Sequence, residues 1–127
     1  MASTILIAED DPNILNLLHV FLTGRGYTVH KAVDGREALD RMPEVKPDLL
    51  ITDVMMPRLN GYQLVHTLTT ERYDIPTPRI IILTSRTDPS DIQRGLNVGA
   101  DMYISKPFDM TEMATHVEEL LKKAPKR

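Results

Sequence analysis

Residues 49–57 of this chain read Leu-Leu-Ile-Thr-Asp-Val-Met-Met-Pro. Three successive apolar residues run into Thr52 and the acid Asp53, and Pro47 and Pro57 lie on either side. A short apolar run bounded in this way is typical of a buried strand in a parallel sheet that helices cover on both faces. Because ligands of open α/β sheets bind at the carboxyl ends of the strands, Asp53 is a candidate site residue. Taken alone, Asp53 is more simply explained as a helix cap or a turn residue.

The length and composition indicate one soluble domain. The chain has 127 residues, is 42% hydrophobic and 26% charged, and carries a net charge of -3, which is not typical of a disordered chain or a nucleic-acid-binding surface. It has no cysteine, which excludes a disulfide scaffold, a thiolate metal site and a cysteine nucleophile. The first apolar run ends at Glu9 and is too short for a signal peptide or a membrane span, so we expect a cytoplasmic protein. We predict one domain over residues 1–121, with residues 122–127 forming the end of the last helix or the start of a linker.

Strand and helix patterns alternate along the chain. Besides the strand that ends at Asp53, strands are predicted over residues 4–8, 27–33, 79–85 and 102–105. Helices are predicted from apolar spacing in residues 14–22, 64–68, 92–98 and 113–121, and a short helix over residues 36–42 follows an Asp34-Gly35 turn and ends at Pro43. Asp11 precedes Pro12 and is therefore interpreted as a helix cap rather than a ligand.

Five strand–helix units predict an α/β fold, a doubly wound three-layer sandwich with right-handed crossovers. The strand order most compatible with five such units is 2-1-3-4-5. In that order the first and third strands are neighbours, and a crevice opens between their carboxyl ends where the direction of winding reverses. The acids that follow the first strand and Asp53 would line this crevice.

The predicted topology brings five polar side chains to one edge of the sheet, namely Glu9, Asp10, Asp53, Thr84 and Lys106. Three carboxylates in one place repel one another unless a cation neutralises them. Mg²⁺ prefers oxygen ligands, so two carboxylates and a backbone carbonyl, such as that of Met55, would suffice. Asp53 could then act as a nucleophile towards a phosphoryl donor, while Lys106 and the Thr84 hydroxyl offset the charge on the transferred group.

Four segments of the sequence together resemble the receiver domain of two-component response regulators. They are residues 5–11, residues 48–57 with Gly61, residues 84–85, and residues 99–108, which read Gly-Ala-Asp-Met-Tyr-Ile-Ser-Lys-Pro-Phe. The resemblance covers the whole chain, and the full set in this order and spacing is specific. The flavodoxin-like 2-1-3-4-5 sheet is also the fold that this resemblance implies.

The resemblance implies a role for each candidate residue. Asp53 would accept a phosphoryl group from a phosphohistidine on a sensor histidine kinase or a phosphotransfer protein, and Lys106 would contact that group. Glu9, Asp10, Asp53 and the Met55 carbonyl would hold Mg²⁺. Thr84 and Tyr103 would move as switch residues and alter an output surface made by the fourth helix, the fifth strand and the fifth helix. The peptide before Pro107 would be cis, and the side chains of Met55 and Arg86 would tune the phosphoryl lifetime.

The same resemblance implies a phosphoacceptor signalling domain rather than an enzyme, with self-phosphorylation and autodephosphorylation as its own chemistry. Its partners would be the kinase and a downstream output protein or domain, without direct contact of this domain with nucleic acid or membrane. The sequence leaves open whether phosphorylation drives homodimerisation. It also leaves open whether the receiver stands alone or belongs to a longer regulator.

Two rival functions use related chemistry. A flavodoxin-like cofactor binder needs a loop rich in hydroxyls and glycine after the first strand, where this chain has Glu9, Asp10 and Asp11. A metal-dependent phosphatase with an aspartyl intermediate usually has a second acid two residues after its nucleophile, where this chain has Met55. The sequence therefore favours the receiver over both rivals.

Overall fold

A five-stranded parallel sheet with helices on both faces forms the protein. The computed structural model describes residues 3–72, 74–85, 93–94 and 96–123. The strands are β1 (Thr4–Ala8), β2 (Thr28–Ala32), β3 (Leu49–Asp53), β4 (Arg79–Thr84) and β5 (Met102–Ser105), and the helices are α1 (Pro12–Gly24), α2 (Gly35–Val45), α3 (Gly61–Thr70) and α4 (Met110–Leu121). The strand order is β2-β1-β3-β4-β5, which confirms the order predicted from the sequence.

The helix predicted around residues 92–98 is described only in part. Gln93, Arg94, Leu96 and Asn97 are helical, whereas Ile92 and Arg86, which the sequence analysis singled out, lie outside the described residues. A turn follows at Gly99, whose φ of 117° is in the left-handed region that favours glycine. The Thr69 hydroxyl donates hydrogen bonds to the carbonyl oxygens of Val65 and Val98, both at 2.9 Å. These bonds attach the turn to α3.

The core is divided into two layers, because successive side chains of each strand point to opposite faces of the sheet. One layer packs α2 and α3 against the sheet, and its largest members include Leu6, Met42, Leu50, Leu64, Leu68 and Ile80. The other packs α1 and α4 against the opposite face and includes Ile5, Ile7, Leu18, Leu22, Ile51 and Val117. β3 contributes to both layers and all five of its residues are buried.

Polar side chains fix where the helices begin. The Asp11 carboxylate accepts hydrogen bonds from the amides of Asn13 at 2.9 Å and Ile14 at 3.5 Å, which confirms its interpretation as a cap. Asn60 and Gln63 form a reciprocal capping box at the start of α3. These two helices, α1 and α3, therefore begin at defined positions in the segments that follow the carboxyl ends of β1 and β3.

The predicted end of α2 at Pro43 is wrong, because the helix continues through Pro43 to Val45. Proline lacks the amide hydrogen that would extend the helical ladder, so it removes one hydrogen bond. Pro43 lies in the last turn and is exposed, and the Lys46 amide still donates to the Met42 carbonyl at 2.9 Å. Lys46 then ends the helix in the left-handed region, with a φ of 46°.

Candidate functional site

The carboxyl edge of the sheet brings together the side chains that the sequence analysis selected. The parallel register pairs Ala8 of β1 with Thr52 of β3, and Asp53 of β3 with Leu83 of β4. Glu9 and Asp10, which follow β1, therefore lie beside the end of β3. Thr84 is the residue after Leu83 and so lies next to Asp53 on the other side of β3. On the far side of β4, Thr84 pairs with Ser105 of β5, the residue before Lys106.

Lys106 joins two of the acids. Its ammonium Nζ donates to Glu9 Oε1 at 2.6 Å and to Asp53 Oδ2 at 2.9 Å. Both acids are buried, with 1% of Glu9 and 7% of Asp53 exposed. The backbone amide of Lys106 also donates to the carbonyl oxygen of Thr84 at 2.8 Å, so the start of this side chain is fixed as well as its tip. Three segments far apart in the sequence thus meet in one charged cluster.

The electrostatics of this cluster are unbalanced towards negative charge. Burial raises the pKa of Glu9 to about 7, and the neighbouring Asp53 carboxylate adds to the rise. Burial alone would lower the pKa of Lys106, but hydrogen bonds to Glu9 and Asp53 outweigh burial and raise that pKa above its ordinary value. One ammonium group therefore remains charged beside more carboxylates than it can neutralise, and the site favours a further cation.

The arrangement of the acids fits a hard divalent cation. Ligand oxygens of Glu9, Asp10 and Asp53 all lie within 4.8 Å of one another. Glu9 Oε2 is buried and has no hydrogen-bond partner among the described residues, although a buried carboxylate oxygen normally has one. An all-oxygen donor set of this kind suits Mg²⁺ better than softer metals. A bound cation would satisfy the free oxygen and offset the excess charge.

The two predicted switch residues differ in burial. Thr84 ends β4 and is buried, with 1% of the residue exposed. Tyr103 of β5 lies opposite Ile82 in the register, is partly buried and packs against the layer that contains α2 and α3. The Lys106–Pro107 peptide is cis, as the resemblance implied.

The loop after β3, residues 54–60, passes directly over the end of that strand. The Met55 amide donates to Asp53 Oδ1 at 3.3 Å, while 57% of Met55 is exposed. At the other end of the loop, the Gly61 amide donates to the Val54 carbonyl at 2.9 Å. A Cβ atom on Gly61 would overlap the carbonyl oxygen of Asp53, so any side chain at this position would force α3 away from the end of β3.

We predict that Gly61→Ala destabilises the protein by about 2 kcal/mol, in the range found for overpacked positions. The added methyl must push α3 away from the backbone of Asp53. Gly24→Ala is the matched control: a Cβ at Gly24, the last residue of α1, meets nothing within 4 Å, and alanine suits a helix better than glycine. Urea unfolding of both variants measures the difference. A Gly61→Ala variant as stable as Gly24→Ala would contradict the close packing described here.

An ion pair beside this loop has no counterpart in the prediction from the sequence. Arg58 donates from Nε to Asp34 Oδ2 at 3.1 Å and from Nη2 to Asp34 Oδ1 at 3.3 Å. The sequence predicts a turn at Asp34-Gly35, whereas in the structure Asp34 caps α2 and Gly35 is its first residue. A favourable cap residue before a helical pattern could have revealed the cap, but no local signal connects residue 34 to residue 58.

Comparison with known proteins assigns the chain to a family. Residues 5–118 match the family model described as the response regulator receiver domain. The chain therefore belongs to the receiver domains of two-component response regulators. Among its relatives, the response regulator GtcR of Aneurinibacillus migulanus is 42% identical over 124 residues, which cover 98% of this chain and 50% of that protein. The DNA-binding response regulator MtrA of Mycolicibacterium smegmatis is 37% identical, covering 97% of this chain and 52% of that protein.

Solved structures agree with this assignment. The signal receiver domain of a signal transduction histidine kinase from Syntrophus aciditrophicus has a TM-score of 0.87 and 38% identity, covering 99% of this chain and 97% of that one. The chemotaxis protein CheY4 of Vibrio cholerae has a TM-score of 0.85 and 30% identity, covering 94% of this chain and 99% of that one. The chain spans about half the length of the curated relatives it matches. In the described parts of the chain, we find no helix with the length and apolar character needed to cross a bilayer.

Proposed function

We propose that Asp53 accepts a phosphoryl group from a phosphohistidine on a partner histidine kinase or phosphotransfer protein, in a reaction that depends on Mg²⁺. The observation that carries this proposal is the position of Lys106, whose ammonium contacts both Glu9 and Asp53 at the carboxyl edge of the sheet. A nucleophilic carboxylate, a cation beside it and a set of oxygen ligands are the parts that phosphoryl transfer to an aspartate requires.

In the proposed step, an oxygen of the Asp53 carboxylate attacks the phosphorus atom and forms a new P–O bond. The P–N bond to the imidazole breaks, its electron pair stays on the ring nitrogen, and that nitrogen takes up a proton from solvent. No base is needed, because an ionised carboxylate is already a nucleophile. Lys106, already beside Asp53, offsets the negative charge of the transferred oxygens, and the Thr84 hydroxyl donates to one of them.

The metal ligands in this proposal are the carboxylates of Glu9, Asp10 and Asp53 and the backbone carbonyl of Met55. When bound, Mg²⁺ would supply positive charge next to the phosphoryl oxygens and so lower the cost of bringing two anions together. The free, buried Oε2 of Glu9 and the closeness of the three carboxylates support this ligand set.

Phosphorylation would then act as a switch. An added charge of about -2 with three acceptor oxygens gives Thr84 a new hydrogen-bond partner. Movement of Thr84 leaves room at the end of β4 into which Tyr103 turns from its partly buried position on β5. The surface formed by the helical residues 93–94 and 96–97, β5 and α4 would carry the signal to an output protein or domain. Homodimerisation through that surface remains one form that this output could take.

A surface pocket beside the site supports contact with a donor protein. It measures about 430 Å³, and its lining includes Ile14, Leu17, Lys106 and Phe108. Leu17 is 54% exposed on α1 and lies with Ile14 and Phe108 along this lining, which makes a continuous apolar surface. An apolar surface next to Lys106 gives a partner side chain a place to dock while its phosphohistidine reaches Asp53.

The proposal is tested by incubating the protein with Mg²⁺ and acetyl phosphate and measuring its intact mass. We expect one added phosphoryl group, no addition when a chelator removes Mg²⁺, and loss of the group in hydroxylamine, which cleaves acyl phosphates. Borohydride reduction, which converts a phosphorylated aspartate to homoserine, should place the label on the peptide that contains Asp53. Labelling that persists in the chelator would refute the metal dependence, and homoserine at another position would refute the role of Asp53.

A further inference from the structure

The loop over the site, residues 54–60, is anchored to α2 by the ion pair between Arg58 and Asp34. Both guanidinium contacts are within hydrogen-bond distance, at 3.1 and 3.3 Å, and they reach both oxygens of one carboxylate. The Asp34 side chain is 11% exposed and that of Arg58 is 60% exposed. A forked contact of this kind fixes the orientation of the arginine guanidinium as well as its distance from the carboxylate.

The Asp34 end of this pair is held by further hydrogen bonds. Its carboxylate caps α2 by accepting the Glu37 amide at 2.7 Å, and the Glu37 side chain accepts the Val33 amide at 3.0 Å. The Glu37 amide and the Arg58 guanidinium hold the pKa of Asp34 below its usual value, so this carboxylate stays charged at neutral pH. A Cβ atom on Gly35 would overlap the carbonyl oxygen of Leu59, so the start of α2 and the loop are in direct backbone contact.

The Arg58 end lies in an unfavourable backbone conformation. Arg58 has a φ of 68°, in the left-handed region that non-glycine residues rarely adopt. The Leu59 amide donates to the Pro57 carbonyl at 2.7 Å, which closes a tight turn around Arg58. Such a conformation persists only where surrounding contacts over-determine it, and the forked contact with Asp34 is one of them.

We propose that Asp34 and Arg58 are positioning residues for the Asp53 site: their ion pair holds the loop so that the Met55 backbone stays beside the Asp53 carboxylate. This inference rests on the proposed function. Neither residue is a proposed ligand or contacts Asp53 in the described structure. Their effect passes through the loop to the Met55 amide, which donates to Asp53 Oδ1 at 3.3 Å, and to the Met55 carbonyl that we assign to Mg²⁺.

An ordinary surface ion pair would not have this effect. The pair between Arg36 and Asp40 joins residues four apart on α2, and both side chains are more than half exposed. Pairs of that kind contribute little. The pair between Arg58 and Asp34 differs because it joins two separate segments, has a mostly buried acceptor and holds a loop that leads to the site.

The test compares Arg58→Gln, Asp34→Asn, the double variant and the control Arg36→Gln. Asparagine is also a good helix cap, so Asp34→Asn removes the charged partner of Arg58 without removing the cap of α2. Mg²⁺ binding is measured by calorimetry, and acetyl phosphate labelling is measured as a function of Mg²⁺ concentration. We expect a five- to tenfold weaker Mg²⁺ affinity in both single variants, at or below the lower end of the roughly 10- to 100-fold effects known for groups that support metal ligands.

Two further results separate positioning from mere folding. The double variant should be no weaker than either single variant, because residues that act as one unit do not add. Arg58→Lys should recover part of the affinity, whereas Arg58→Gly, which relieves the positive φ, should not. A shift confined to the melting temperature, with wild-type Mg²⁺ affinity and labelling, would overturn the inference, and so would additive effects in the double variant.

The outcomes also distinguish this inference from the proposed function. If the wild-type protein is labelled and the pair variants match it, the positioning role fails and the proposed function stands. If the wild-type protein binds no Mg²⁺ and is not labelled, both fail. Weaker Mg²⁺ binding in the pair variants supports the positioning role of Asp34 and Arg58 even if acetyl phosphate labels the protein poorly, because calorimetry does not depend on labelling.

Discussion

Asp53→Asn should abolish labelling by acetyl phosphate. Asparagine has the shape of aspartate but lacks an ionised oxygen that can attack phosphorus. The variant should remain folded, because it removes one negative charge from a cluster in which three carboxylates face one ammonium group. We therefore expect no added mass, together with a melting temperature equal to or above that of the wild-type protein when no metal is present. Intact-mass measurement and circular dichroism check the two parts.

Asp48→Asn is the matched control for this experiment. Asp48 immediately precedes the opposite end of β3, is exposed and accepts the Thr4 amide at 2.8 Å. The same chemical change at this distant position should leave labelling at the wild-type level, because the asparagine carbonyl can still accept that hydrogen bond. Equal labelling of Asp53→Asn and Asp48→Asn would remove Asp53 from its assigned role.

Lys106→Gln should slow phosphoryl transfer about 100- to 1,000-fold, the size of effect seen when one preorganised donor to a developing charge is removed. The Nζ atom lies 2.9 Å from Asp53 Oδ2, so its charge is next to the attacking carboxylate and the incoming phosphoryl oxygens. Glutamine keeps a hydrogen-bond donor but loses the charge. The rate of labelling at saturating Mg²⁺ and acetyl phosphate measures this loss.

The Lys106→Gln variant should bind Mg²⁺ more tightly than the wild-type protein, although it transfers the phosphoryl group more slowly. The Lys106 ammonium competes with a metal ion for oxygens of Glu9 and Asp53, so its removal should strengthen Mg²⁺ binding while transfer slows. Lys31→Gln is the control, because Lys31 is an exposed lysine near the end of β2 whose ammonium contacts Asn16. A Lys106→Gln variant with unchanged rate would show that Lys106 serves only to balance charge in the resting protein.

Much of the fold could be predicted because its determinants are local in the sequence. The continuous apolar runs in β3 and β4 indicate buried parallel strands, and the predicted order 2-1-3-4-5 puts β2 at an edge of the sheet, where the structure places it. Pro43 is the exception. A proline usually ends a helix, but in the last turn it removes only one hydrogen bond, and α2 continues for two more residues to Val45.

The candidate site could be predicted where its members directly follow strands. Glu9, Asp53 and Lys106 lie at or just after strand ends, so the topology brings them together once the strand order is known. The Arg58–Asp34 pair could not be found in this way, because it depends on the path of a loop and on a left-handed residue within it. Similarly, the overlap that requires glycine at residue 61 becomes visible only when the first turn of α3 is placed against Asp53.

The division of the core into two layers has a consequence for how this protein can change over evolution. Ile81 and Ile82 are neighbours on β4, yet Ile81 packs with α1 and α4 and Ile82 packs with α2 and α3. Substitutions on opposite faces of the sheet share few neighbours, so their energetic effects should be nearly additive. Either layer of the core can therefore be repacked while the other keeps its present side chains, and an engineer could redesign the two layers in separate steps.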